Sequence, residues 1–154
     1  MRPNAVPEPA MLNDRERQAL QAALDDEYRA LATYEQVLRD FGPVRPFVNI
    51  REAEGRHAAA LIALFERYGL AVPPNPWAGK VPRYASVREA CEAGIRGEIE
   101  NSALYERLKA ATSRPDILTV FKMLEAASRE HHLPAFRHCA ERSGAPPGYA
   151  HRRP

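Results

Sequence analysis

Apolar residues recur at helical spacing in four separate stretches of this chain. In the first, Leu20, Leu24, Leu31 and Leu38 fall four or seven apart and mark one face of a helix running from about Asn13 to Phe41. Asn13-Asp14-Arg15-Glu16 has the spacing of a capping box at its head, and Phe41-Gly42-Pro43 stops it. Phe47, Ile50, Leu61, Leu64 and Tyr68 mark a second helix, which the short turn through Gly42 to Pro46 returns antiparallel to the first and Gly69 closes. Ser86-Val87-Arg88-Glu89 reads as another capping box, opening a third helix whose inner face carries Val87, Cys91, Gly94, Tyr105 and Leu108. Pro115 suits the first position of a fourth helix, with Phe121, Leu124, Ser128, Ala135 and Cys139 inward as far as about Arg142. No stretch alternates in the manner of a strand, so the pattern predicts an all-α four-helix bundle.

Residues 70–85 hold Pro73, Pro74, Pro76, Gly79 and Pro82, too rigid for a helix and long for a loop inside a compact domain. A segment of that length crosses from one end of a bundle to the other, so two antiparallel helix pairs are expected, joined by a crossover. Residues 1–12, with Pro3, Pro7 and Pro9, read as a disordered N-terminal arm, and 143–154 as a flexible basic tail, leaving one domain over 13–142.

Charged groups interrupt three of the apolar stripes. Glu27 stands between Leu24 and Leu31, Glu54 falls in register with Ile50 and Leu61, and Glu98 with Gly94 and Tyr105. His57 follows Glu54 by three residues and shares its face, and the fourth helix turns His132, or His131 if its phase differs by one, to the same interior. Burying a bare carboxylate costs several kcal/mol or more unless a cation answers it, either a metal ion or an Arg or Lys from another helix. The chain also echoes itself: Tyr34 follows Glu27, and Tyr105 follows Glu98, by seven residues, and each helix is followed by one with an inward histidine. Carboxylates neutralise and bridge divalent ions, and imidazole adds a borderline nitrogen donor suited to iron, manganese or zinc.

Net charge is +2 over 154 residues and no run of apolar residues approaches membrane-spanning length, so neither nucleic acid nor a membrane is expected and the protein reads as cytoplasmic. The two cysteines are too few for a disulfide framework. Cys91 precedes Glu98 by seven residues and Cys139 follows His132 by seven, so if the latter pair meet, the cysteines are level too. Two buried thiols are expected in a cytoplasmic chain, with a disulfide as the alternative.

Taken together, Glu27 with Tyr34, Glu54 with His57, Gly97-Glu98 and Ser128-Arg129-Glu130-His131-His132-Leu133-Pro134-Ala135-Phe136 resemble the ferritin-like superfamily, particularly its rubrerythrin-like branch and a bacterial ferritin-like family of unknown function. The likeness runs from about Asn13 to Arg142. It implies a bundle with one or two metal ions in its core, iron first, with oxidase- or peroxidase-type chemistry or iron storage. Glu54 and Glu98 would bridge or chelate, Glu27 would be a terminal ligand, and His57 and His132 would supply nitrogen. Tyr34 and Tyr105 would donate hydrogen bonds or relay electrons, if they are not simply packed. With no cysteine cluster of the rubredoxin kind, electrons would come from a separate donor, and a homodimer is plausible for such a bundle. Asn101 and Glu100 are weaker candidates, and His138 and His151 read as surface residues.

The sequence departs from that pattern on the fourth helix. Three residues before His132 stands Arg129, and three before His131 stands Ser128, where a second glutamate is expected. Two ions with a weakened second site, a single ion, or none would follow. In the last case the chain would be a metal-free interaction or scaffold module, with Arg129 turned inward in place of the cation. A redox-inert zinc site is the third reading.

Overall fold

The computed structural model describes residues 11–143. It is an all-α bundle of four rods: α1 (Asp14–Phe41), α2 (Phe47–Arg67), α3 (Val87–Leu108), and a fourth rod built from α4 (Pro115–Ala127), a π-helical turn (Ser128–His132) and α5 (Leu133–Ser143). Among the described residues there is no strand, and no helix is long and apolar enough to cross a membrane. The arm at 1–10 and the tail at 144–154 lie outside the described residues.

Each start and stop has a local cause. Asn13 and Glu16 form the expected reciprocal capping box, at 2.9 and 3.1 Å. Glu16 then reaches Thr112 (2.6 Å) and Arg114 (3.0 Å), which ties the head of α1 to the turn before α4. Arg114 also donates to the Met11 carbonyl, and Leu12 is buried in the core, so the packed unit starts earlier than the expected boundary at residue 13. At the head of α3, Ser86 accepts from the Glu89 amide, but the Glu89 carboxylate accepts from Ala85 rather than Ser86, so only half of the expected box forms. Gly42 and Gly69, at positive φ, follow α1 and α2 as expected.

The fourth rod changes pitch where Pro134 sits inside it. A proline donates no hydrogen bond and its ring crowds the carbonyl four residues back, and the turn just before it has widened so that the Leu133 amide bonds Ser128 rather than residue 129.

Residues 68–86 form a strap along α1. Tyr28 donates to the Pro73 carbonyl (2.8 Å), Asn75 to the Tyr28 carbonyl (3.1 Å), the Trp77 indole to Asp25 (2.9 Å), and Arg83 clasps Asp40 near the end of the helix. The long connection is thereby fixed at both ends and the middle.

Two apolar clusters fill the bundle. One gathers Leu20, Leu24, Leu61, Phe65, Tyr105 and Phe121, the other Tyr34, Phe47, Ile50, Cys91 and Phe136. At Gly94 a β-carbon would stand 2.8 Å from the Phe136 ring, so the missing side chain lets α3 and α5 close up. The two cysteines join there: Cys91 and Cys139 form a disulfide between α3 and α5, correcting the expectation of free thiols. Their equal height follows from the sequence; the bond between them does not.

Candidate metal centre

Between the two apolar clusters lies a polar layer. α1 contributes Glu27, α2 Glu54 and His57, α3 Glu98, and the π turn His132. All are buried except His57, whose side chain is 12% exposed. Five of the five expected metal-site residues therefore converge, and His131, exposed on the far side of the turn, does not join them.

The layer divides into two triads with Glu54 in common. One Glu54 oxygen lies 3.3 Å from His57 Nδ1, which is 3.7 Å from Glu27; the other lies 3.1 Å from His132 Nδ1, which is 3.3 Å from Glu98. The two imidazoles stack with ring centres 5.5 Å apart. Donor atoms within each triad lie within 4.8 Å of one another. Oxygen and nitrogen donors sit about 2.1 Å from a bound ion, so two on one ion stand at most about 4 Å apart, and small closing movements suffice.

Two polar atoms in this layer lack a proper partner. Neither Glu27 Oε2 nor His132 Nδ1 makes a well-formed hydrogen bond, although His132 Nδ1 lies 3.1 Å from Glu54 and 3.3 Å from Glu98. Unsatisfied buried polar atoms cost of order 1–3 kcal/mol each; these two lie one in each triad, and once its proton is lost His132 Nδ1, like Glu27 Oε2, presents a lone pair that a metal ion would satisfy.

Burial and mutual proximity shift the ionisable groups of the layer. Burial pushes the Glu27 carboxyl up to about 8, and the nearby Glu54 charge adds to it. Burial works against charge on both imidazoles, yet the carboxylates they face carry His57 up to about 9 and His132 up to about 10. Burial would raise Glu54 as well, but Glu27 and the two imidazoles around it hold it below the usual carboxylate range.

The tyrosines cross between halves. Tyr105 donates to Glu27 at 2.6 Å, and Tyr34 donates to Glu98 at 2.9 Å, so each serves the acid of the other helix pair. Burial and the adjoining carboxylates raise both phenols well above their ordinary range, which keeps them protonated as donors.

Arg129 does not enter the layer. Its side chain is 59% exposed and pairs with Glu125 at 3.3 Å, which overturns the expectation that it could stand in for a cation. Because a π turn carries more residues than an α turn, the residue four before His132 comes level with it and the one three before is rotated away. Ser128 therefore takes the inward place; it is buried, and its hydroxyl donates to the Glu98 carboxylate. Sequence reasoning put Ser128 on the inner face without giving it a task, and the signal for its task was Pro134. Asn101 contacts Asp26 (2.5 Å) and Glu27 (3.4 Å) and so steadies the layer, while Glu100 stays exposed on α3. His138 is exposed, and His151 lies outside the described residues.

No protein-family model matches the sequence, and no curated protein matches it. The structure is similar to the crystal structure of a hypothetical protein, MJ0754, from Methanococcus jannaschii, with a TM-score of 0.78 and 22% identity over 92% of this chain and 88% of that one. At that identity the likeness bears on the fold alone, and it supports the all-helical architecture.

Proposed function

We propose that this bundle is of the ferritin-like type and holds transition-metal ions, iron first, in the layer between its two apolar clusters, for redox chemistry with dioxygen or peroxide. The observation that carries this reading is the pair of triads sharing Glu54, one wholly buried and the other buried but for His57, each with one polar atom left unsatisfied. Glu54 would bridge two ions, Glu27 with His57 would complete one, and Glu98 with His132 the other. Bound iron supplies one-electron chemistry; the chain supplies the rest. Tyr34 and Tyr105 orient the outer carboxylates, Ser128 holds Glu98, and the apolar clusters close the bundle above and below the layer. Both cysteines are engaged in the disulfide, so electrons would come from a separate donor.

One observation favours a second reading. The imidazoles, raised to about 9 and 10, are cationic at neutral pH and can compensate the carboxylates without any metal, so a metal-free structural module is the competitor. The test is metal analysis of protein purified without chelators beside a Glu54→Ala/His57→Ala variant. The metal reading expects bound metal in the parent and near none in the variant; equal, near-zero metal in both selects the competitor. Iron reconstitution followed by peroxide then tests the redox step, which expects a change in visible absorption; metal bound with no change favours the redox-inert zinc reading.

A further inference from the structure

A cavity of about 250 Å³ opens beside the polar layer, with Tyr34, Glu54 and Glu98 at its floor. Its walls are Ala30 and Thr33 of α1 against Ala93 and Gly97 of α3, the strap roofs it with Trp77, Val81 and Tyr84, and Asp26 and Glu100 also line it, so that a ligand's charged group has to sit on the arginine side. A water takes about 30 Å³ of liquid volume, so the space exceeds several-fold what dioxygen or peroxide would occupy.

The chain keeps this space open at a cost. A β-carbon at Gly97 would meet nothing within 4 Å, so neither packing nor backbone conformation explains a glycine there. In a helix interior glycine is worse than alanine by roughly 0.5–1 kcal/mol. Gly94, one turn earlier, differs, because Phe136 fills its place. Gly97 thus widens the cavity, where Gly94 serves the packing.

The rim carries a cation available to a ligand. Arg29 is bound to Asp26 at 3.0 Å and lies over the Trp77 ring, whereas Arg96 makes no ion pair among the described residues. Glu100 is one turn further along, but an arginine that precedes its acid by four residues is the weaker order for a helical pair.

We propose that this cavity binds a small organic anion, its charged group on Arg96, its apolar body between Trp77 and Gly97, and its far end directed at Tyr34, Glu54 and Glu98. As the substrate site of the centre it rests on the metal reading above; as a binding site it does not.

Trp77 is the sole tryptophan of the chain, so its fluorescence reports the roof directly. The experiment titrates benzoate into metal-free and iron-loaded protein at constant ionic strength, with benzyl alcohol as the uncharged counterpart of similar shape. A saturable change is expected with benzoate in both forms, and roughly tenfold weaker binding with benzyl alcohol, since a hydrogen bond to a charged group is worth about 1.5–3 kcal/mol. Arg96→Ala, at an exposed position, should keep the fold and weaken benzoate by about the same factor, while Gly97→Leu should abolish binding. A linear, non-saturating response in the parent, or equal affinities for benzoate and benzyl alcohol, or an unaltered Arg96→Ala titration, overturns the proposal. Protein that takes up iron but not benzoate loses this site alone, and protein that binds benzoate but no metal loses the centre alone.

Discussion

The Glu27–His57 half of the polar layer and the Glu98–His132 half carry the same donors, one carboxylate and one imidazole each, on either side of Glu54. Their surroundings differ. The first is built on two uninterrupted helices, and its tyrosine, Tyr105, is sealed against Phe121 at 5.6 Å. The second stands on a π turn, has Ser128 on its carboxylate, is braced by the disulfide, and faces the cavity through Tyr34 and Glu98. One sequence pattern, used twice, has yielded a half that nears the surface at His57 and a half that borders the cavity through Tyr34 and Glu98. The difference lies in what each helix pair allows around the donors, since the donors themselves match.

The largest effect should come from Glu54→Ala, which removes the residue the halves share. It should eliminate metal from both, whereas Glu27→Ala and Glu98→Ala should each spare one. Metal-to-protein ratios of the three variants check this, and loss of all metal from either outer variant would mean that the halves are not separable.

Next in size is the disulfide. Closing a loop of 48 residues is worth about 4 kcal/mol by chain entropy. Denaturation with and without reductant should show a loss of about 2–4 kcal/mol, and thiol titration in denaturant should find no free thiol until reductant is added. Because the bond joins α3 to α5, reduction should weaken metal at the second half more than at the first.

The halves can also be made more alike. Ser128→Glu would supply the second half with the carboxylate that the fourth rod lacks and should tighten its metal by about tenfold or more. Arg129→Glu, three residues before His132 where the sequence pattern places that ligand, should leave affinity unchanged because the position faces water. Calorimetric titration with manganese separates the two outcomes.

A last contrast is the slope of stability with pH in the metal-free protein. The unfolded chain loses its protons near the ordinary Glu and His values of 4.5 and 6.5, while the folded chain holds them to about 8 at Glu27, 9 at His57 and 10 at His132. The folded state then binds more protons, so stability is greatest on the acid side of this window and declines as pH rises toward 10. Metal binding needs deprotonated ligands and gains with pH. Urea midpoints at pH 6 and 9, with and without manganese, should therefore move in opposite directions.

Much of this was legible in sequence. Helical spacing located all four rods and turned Glu27, Glu54 and Glu98 inward, because a lone acid in an apolar stripe has nowhere else to face. The equal offsets of Cys91 and Cys139 from Glu98 and His132 set the level of the disulfide, but whether two adjacent sulfurs are bonded is not a matter of spacing. The outward place of Arg129 follows from the widened turn before Pro134, which regular helical spacing does not anticipate. The crossing of the tyrosines and the roof over the cavity depend on how rods far apart in sequence lean together and on where the strap is pinned, and no local pattern encodes either.

Tyr34 answers Glu98 and Tyr105 answers Glu27, so neither hairpin is self-sufficient. A molecule severed within the strap would leave two fragments, each holding a donor meant for its counterpart and an acid deprived of one. Their reunion would be selective for that reason, and a substitution on one side of the strap is bound to register on the other.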